Sequence, residues 1–146
     1  MTDLAGNYLS IKVGKQWYGI PVDRVIEVLH LVALNELPGA GADILGLMTL
    51  RNVTMPVIDL RLRFGLQDVI YHLNTPMIAF QTAKGPVAFV VDDVDDVVQV
   101  TQTNDYDESV SPYVLGVAKQ ADKLLMILDS KKLQVSEEIV SMLAEA

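Results

Sequence analysis

The sequence has no cysteine in its 146 residues, which excludes disulfides, thiolate metal ligands and cysteine nucleophiles. Its only histidines are His30 and His72, which without cysteine do not form a zinc ligand set. A Gly-rich phosphate loop and a Gly-x-Ser-x-Gly nucleophile elbow are also missing. We therefore expect a protein that is not an enzyme and holds no cofactor.

Basic residues are scarce, with 11 Lys and Arg against 19 Asp and Glu and a formal net charge of −8. Nucleic acids and anionic lipid surfaces usually require a basic field, so neither is an expected partner. No apolar run approaches the roughly 18 residues of a membrane span, so we expect no direct membrane insertion. The N-terminus lacks the pattern of a secretory signal. Together with the missing cysteine, this favours a cytoplasmic location.

What the sequence does contain is a pattern of β-hairpins. Hydrophobic residues make up 51% of the chain, and many alternate with polar ones, which is typical of half-buried strands. Turn residues separate the strands in pairs. Four hairpins are predicted: 8–13 with 17–22, 45–50 with 54–60 around Arg51-Asn52, 75–82 with 87–91 around 83–86, and 113–119 with 123–129.

Helical patterns are short. Val22, Val25, Ile26 and Leu29 have the spacing of a helix from about Asp23, although the run 28–32 also suits a strand. Residues 60–64 predict a single helical turn that ends at Gly65. Ser136 suits the N-cap of a C-terminal helix over about 136–146. Residues 101–112 are polar and predict an exposed loop.

A weak internal repeat relates the two halves of the chain. The matching segments are 22–28 with 91–97 at an offset of 69 (91 − 22), and 45–47 with 115–117 and 57–59 with 127–129 at an offset of 70 (129 − 59). Three matches in one order predict two similar β lobes, which close best as barrels because closure removes exposed sheet edges. The seam between two such lobes is a natural binding groove.

Two charged groups are candidate sites. Four carboxylates in Asp92-Asp93-Val94-Asp95-Asp96 suggest a cation site in a metal-dependent enzyme or sensor. We favour a simpler interpretation, in which Asp92 or Asp93 begins a helix and the remainder is a solvated acidic face. Arg51 at its turn either is free for a partner's carboxylate or pairs with a nearby acid, and the sequence favours neither.

Several segments resemble the CheW-like family of chemotaxis coupling proteins. They run in order from about Tyr8 to Leu133 and carry motifs specific to the family, including its "Pro-Val-Ile-Asp-Leu-Arg" element. The similar segments are 18–28, 37–39, 44–51, 56–61, 89–92 and 94–97. The resemblance implies an all-β fold with short helices, in which two intertwined five-stranded SH3-like barrel lobes precede a C-terminal helix. Residues 1–146 would form one such domain, with lobe 1 mainly at about 20–75, lobe 2 mainly at about 76–133, and strands exchanged between them.

The resemblance also implies a function. Proteins of this family act as adaptors between the cytoplasmic tip of a chemoreceptor (a methyl-accepting chemotaxis protein) and the regulatory domain of the histidine kinase CheA, in arrays at the membrane. Arg51 matches the family's arginine near the receptor contact. Val25 and Glu27 match positions on a short helix associated with these contacts, and Gly46 and Asn52 complete the candidate interface.

Two residues depart from the family pattern. The family usually has Asn before the Leu-Arg pair and Gly after it, where this chain has Thr49 and Asn52. Asn tolerates a left-handed backbone better than most residues, so the turn is expected to survive. The changed surface suggests an alternative role as a paralogue that serves a pilus or another non-flagellar signalling array.

Overall fold

Strands dominate the structure, a computed structural model that describes residues 4–101, 103–105, 111–120 and 122–144. Two short α-helices and two 3₁₀ turns, Val22–Arg24 and Ser130–Lys132, accompany them. The elements are β1 (Gly6–Val13), β2 (Gln16–Pro21), β3 (Val25–His30), β4 (Ile44–Leu50), β5 (Val53–Asp59), α1 (Leu60–Arg63), β6 (Pro76–Thr82), β7 (Gly85–Val90), β8 (Asp93–Val100), β9 (Asn104–Asp105), β10 (Val114–Gln120), β11 (Lys123–Leu128) and α2 (Glu137–Ala144). The prediction of an all-β fold with short helices and a C-terminal helix is confirmed.

The strands form two sheets with the same internal order. The first sheet runs β3-β6-β7-β5-β4, and the second runs β8-β1-β2-β11-β10 with the two-residue β9 added at its edge. Each sheet joins two antiparallel hairpins through one parallel pair, β5 with β7 in the first and β11 with β2 in the second. The two sheets are therefore two copies of one arrangement.

Each sheet combines strands from both halves of the chain. The N-terminal hairpin β1–β2 lies in the second sheet beside β8 and β11, while the hairpin β6–β7 lies in the first sheet between β3 and β5. The register repeats too: Leu9 faces Ile20 in β1–β2 as Ile78 faces Phe89 in β6–β7, an offset of 69 (78 − 9). Neither lobe is a continuous stretch of sequence, so the lobes are intertwined.

The shared core lies between the two sheets. Because side chains alternate along a strand, each hairpin has one face toward this core and one toward the interior of its own lobe. In β6, Ile78 and Phe80 belong to the shared core, whereas Met77 and Ala79 pack inside the first lobe. The second lobe has its own smaller cluster around Tyr8, Leu125 and Ile127.

Two sequence-based interpretations of local structure are wrong. The helix expected from about Asp23 is only the 3₁₀ turn Val22–Arg24, after which β3 pairs with β6. No helix begins at Asp92 or Asp93, because β8 starts at Asp93 and pairs with β1. Both segments are rich in Val, a β-branched residue that suits a pleated surface, and pairing with a neighbouring hairpin makes each of them a strand.

The predicted short helices and turns otherwise agree with the structure. Asp59 caps α1 and accepts a hydrogen bond from the Arg61 amide, and Asp129 does the same for the amide of Lys131. At α2 the carbonyl of Ser136 accepts from the amide of Ile139. In the predicted loop 101–112 the structure contains the short strand β9, and residues 102 and 106–110 lie outside the described residues.

Candidate protein-binding site

The turn between β4 and β5 presents Arg51, as the sequence predicts. Arg51 and Asn52 have φ angles of 50° and 68°, so both have the left-handed backbone of a type I′ hairpin turn. Asn adopts this conformation readily, whereas Arg adopts it at a cost. The hydroxyls of Thr49 and Thr54 lie 3.0 Å apart across the hairpin. Thr49 and Asn52, the two departures from the family pattern, therefore both serve the turn.

Arg51 pairs with Glu27, which the structure brings close from β3. The Arg51 Nη2 atom lies 3.0 Å from the Glu27 Oε1 atom, and the Arg51 side chain remains 80% exposed. Since β3 and β4 are the two edges of the first sheet, this ion pair bridges the opening between them. Exposed pairs contribute only about 0–1 kcal/mol to stability. The guanidinium therefore remains accessible to a partner.

Val25 and Gly46 have structural roles. Val25 lies in β3, not on a helix, and its half-buried side chain packs against the shared core. Gly46 has a φ of 150°, and an added Cβ atom would lie 2.4 Å from the Asn35 carbonyl oxygen. Only glycine allows that approach. A contact of either residue with a partner stays a prediction.

A cleft of about 1030 Å³ runs along the seam between the sheets. Val28 and His30 of β3 form one wall, and the β1–β2 turn with Gly14 and Lys15 forms another. Residues from 66–76 and 91–94 complete the lining. The structure therefore has a groove where the repeat suggests one, between the lobes.

Arg61 holds this cleft together, a role that sequence reasoning missed. Its guanidinium is 4% exposed and lies 3.0 Å from Asp59 and 3.2 Å from Asp92. It also donates a hydrogen bond to the Ile70 carbonyl at 3.1 Å. Asp92 in turn accepts the amide of Gly14 at 2.6 Å. One buried cation therefore ties α1, the segment after it and the turn of the opposite lobe.

The network perturbs two ionisable groups. Burial alone would lower the pKa of Arg61, but its bonds to Asp59 and Asp92 and their charges outweigh burial and raise that pKa. Burial raises the pKa of Tyr71 to about 12, helped by the hydrogen bond that its hydroxyl donates to Asp59. Both groups keep their ordinary protonation states near neutral pH. The sequence signal for this site was the Asp-x-Arg motif that begins at the last residue of β5.

The acidic segment 92–96 does not form a shared cation site. Asp92 turns toward Arg61, and Asp95 lies 3.3 Å from the Lys123 ammonium. Asp93 accepts the amide of its neighbour Val94. No group of three or more acidic or histidine side chains suited to a metal occurs within 4–101, 103–105, 111–120 and 122–144. The geometry gives no support to a metal-dependent enzyme or sensor.

Comparisons with known proteins extend this description. The family profile of the CheW-like domain matches residues 7–138. The chain belongs to the CheW-like family. It is 30% identical over 143 residues to the chemotaxis protein CheW of Klebsiella aerogenes, covering 90% of this chain and 83% of the relative. It is 31% identical over 127 residues to CheW of Bacillus subtilis, covering 80% and 78% respectively.

A solved structure supports the fold. The scaffolding protein TtCheW from Thermoanaerobacter tengcongensis superposes with a TM-score of 0.79 at 24% identity, covering 86% of this chain and 90% of that chain. The predicted CheW-like fold of two SH3-like lobes is therefore confirmed. Within the described residues, neither α-helix is long and apolar enough to cross a membrane.

Proposed function

We propose that this CheW-like protein is a chemotaxis adaptor that couples chemoreceptors to the histidine kinase CheA and catalyses no reaction. The match to the CheW-like domain over residues 7–138 carries this proposal, since it covers both lobes and the seam between them. The named relatives are chemotaxis proteins, and the solved one is a scaffolding protein. The adaptor would work in the cytoplasm, where receptor arrays recruit it to the membrane.

The seam cleft is the proposed receptor-binding site. Its apolar wall includes Val28 and Ile70, which are both exposed, and exposed apolar groups that line a groove mark interaction sites. Glu27, the partner of Arg51, directly precedes Val28 in β3. Side chains alternate along β3, so Glu27 and Val28 face opposite ways and the ion pair lies outside the lining of the cleft. It would form a second contact with the receptor, at the edge of the first lobe. The outer ends of the lobes would remain available to the regulatory domain of CheA.

The first test is binding of a receptor tip and of the CheA regulatory domain to the purified chain, measured by calorimetry. We expect Arg51→Glu to weaken receptor binding about tenfold, because the reversed charge repels Glu27 and a partner carboxylate alike. Circular dichroism should show an intact fold, since the side chain is exposed. Lys131→Glu is a matched charge reversal at an exposed position away from the cleft and should leave affinity unchanged.

Two outcomes would count against the proposal. Binding of neither partner, across several receptors and kinases, would contradict the adaptor function. Equal receptor affinity for Arg51→Glu and Lys131→Glu would show that Arg51 is a turn residue only.

A role in a pilus or other non-flagellar array is a second candidate. The observation that favours it is the Thr49 and Asn52 pair, which replaces the family's Asn and Gly at the proposed receptor surface. Binding to receptor tips from flagellar and pilus-type arrays, measured side by side, separates the two. Thr49→Asn with Asn52→Gly should shift preference toward flagellar receptors if these residues set it.

A further inference from the structure

The internal repeat extends beyond the strands to the segment 66–74. Its apolar residues have the spacing of those in α2 at an offset of 70 (139 − 69): Val69 with Ile139, Ile70 with Val140, and Leu73 with Leu143. The preceding turns correspond as well, because Asp59 caps α1 as Asp129 caps the 3₁₀ turn before α2. Segment 66–74 is therefore the counterpart of α2 in the first half of the chain.

The two segments differ in conformation. Residues 137–144 form a helix, and Ile139 and Val140 pack against the shared core. Residues 66–74 contain no helix or strand, and there Ile70 is 64% and Leu73 is 95% exposed. A helical apolar stripe is thus present in the sequence of 66–74 but is not buried.

Each segment lies beside an equivalent hairpin turn of the other lobe. Glu137 of α2 forms an ion pair with Lys84 in the β6–β7 turn. Lys15 in the β1–β2 turn is the counterpart of Lys84 at an offset of 69 (84 − 15), and it lines the seam cleft together with Asp68. Leu66 lies against Gly14 in the same turn. The place that a second helix would occupy is therefore the cleft itself.

Three features hold the segment in its open form. Asp68 has a left-handed backbone with a φ of 59°, which interrupts any helix. The Ile70 carbonyl accepts from Arg61, and the Tyr71 hydroxyl donates to Asp59. The His72 amide adds a hydrogen bond that it donates to the Thr75 hydroxyl at 2.7 Å. Asp68, His72 and Asn74 are also poorer helix formers than the residues at the corresponding positions of α2, which are Glu138, Met142 and Ala144. These local features favour the open form.

We propose that residues 66–74 are a lid that folds into a helix equivalent to α2 and closes the seam cleft. Val69, Ile70 and Leu73 then turn toward the β1–β2 turn, and Asp68 comes within reach of Lys15. Thr75 precedes Pro76, which ends such a helix at residue 74. The open lid admits a partner to the cleft, and the closed lid excludes it. This inference does not depend on the partner's identity.

Cysteine labelling tests the lid, because the chain has no cysteine of its own. Leu73→Cys places a single thiol at the exposed side chain that closure buries. Asp68→Ala and Asp68→Gly are added separately, and both remove the same charge. Ala favours a helix and resists the left-handed backbone, whereas Gly does the opposite, so the closed-to-open ratio should differ about 30-fold between them.

We expect slower thiol labelling at residue 73 in the Asp68→Ala chain than in the Asp68→Gly chain, by at least about twofold. The Cα chemical shifts of residues 66–74 should become helical in Asp68→Ala only. Glu36→Cys, at an exposed site away from the cleft, should label equally in both backgrounds. Equal labelling at residue 73 with non-helical shifts in both variants would overturn the lid.

Discussion

The two lobes repeat the same arrangement of strands, but they differ on the outer faces of their edge strands. Ile26 and Val28 of β3 are exposed in the first lobe, and their counterparts in β8, at an offset of 69 (95 − 26), are Asp95 and Val97. One edge is therefore apolar and the other is partly acidic. A repeated backbone needs only repeated buried residues, so the exposed positions are free to diverge. This difference suits a scaffold that holds two unlike partners.

The turns after β5 and β11 show the contrast most sharply. Asp59 and Arg61 correspond to Asp129 and Lys131 at an offset of 70 (131 − 61). The first pair is buried and lies 3.0 Å apart, whereas Lys131 is exposed and bonds Asp129 through its backbone amide. The same local turn is thus the centre of a buried network in one lobe and a simple cap in the other.

Replacing each of these two cations with leucine should give the largest difference between the lobes. Arg61→Leu leaves the fully buried Asp59 carboxylate without its cation, which costs about 3–5 kcal/mol. Lys131→Leu should change the free energy of unfolding by less than about 0.5 kcal/mol, because its side chain is exposed. Urea denaturation measures both. Equal losses would mean that the Arg61 network adds nothing beyond the turn that the lobes share.

The hairpins were predictable because alternation, turn residues and the repeat agree. The turn at Arg51-Asn52 separates β4 from β5 as expected, and the turn predicted at 83–86 is the shorter 83–84, because β7 already begins at Gly85. The segment at 22–29 was ambiguous because Val and Ile at helical spacing also suit a strand, and only the partner strand β6 decides. Local sequence does not contain that information.

The candidate site was predictable only where a turn or a motif exposes a residue. Arg51 follows from its turn, but its pairing with Glu27 depends on closure of the first sheet. The Arg61 network depends on three segments that meet at the seam, of which Asp92 is 31 residues away in sequence. Spacing along the chain does not predict such a meeting. The Asp-x-Arg motif formed by Asp59 and Arg61 was the one local sign of it.

Two single substitutions, in which Ser10 and its counterpart Ala79 each receive the other's side chain, should give an intermediate effect on stability. These residues occupy equivalent positions in β1 and β6 at an offset of 69 (79 − 10), and both are fully buried. The Ser10 hydroxyl has no hydrogen-bond partner among the described residues. Ser10→Ala should stabilise the chain by about 1 kcal/mol, and Ala79→Ser should destabilise it by about 1–3 kcal/mol. Destabilisation by both changes would show that the lobes are not equivalent here.

The smallest effect should come from Tyr71, whose counterpart at an offset of 70 (141 − 71) is Ser141, a residue without the phenol that bonds Asp59. The pKa of Tyr71 is raised to about 12 in the folded chain, against about 10 when unfolded. Its stabilising contribution is therefore complete below pH 10 and is lost as the pH rises toward 12. The contribution is modest, because the side chain is exposed to water in part. Melting temperatures of the wild-type chain and Tyr71→Phe, measured from pH 8 to 12, should differ by a constant amount up to about pH 10 and then converge. A constant difference across the whole range would mean that the hydroxyl's bond to Asp59 does not hold the segment, and that Arg61 alone tethers it.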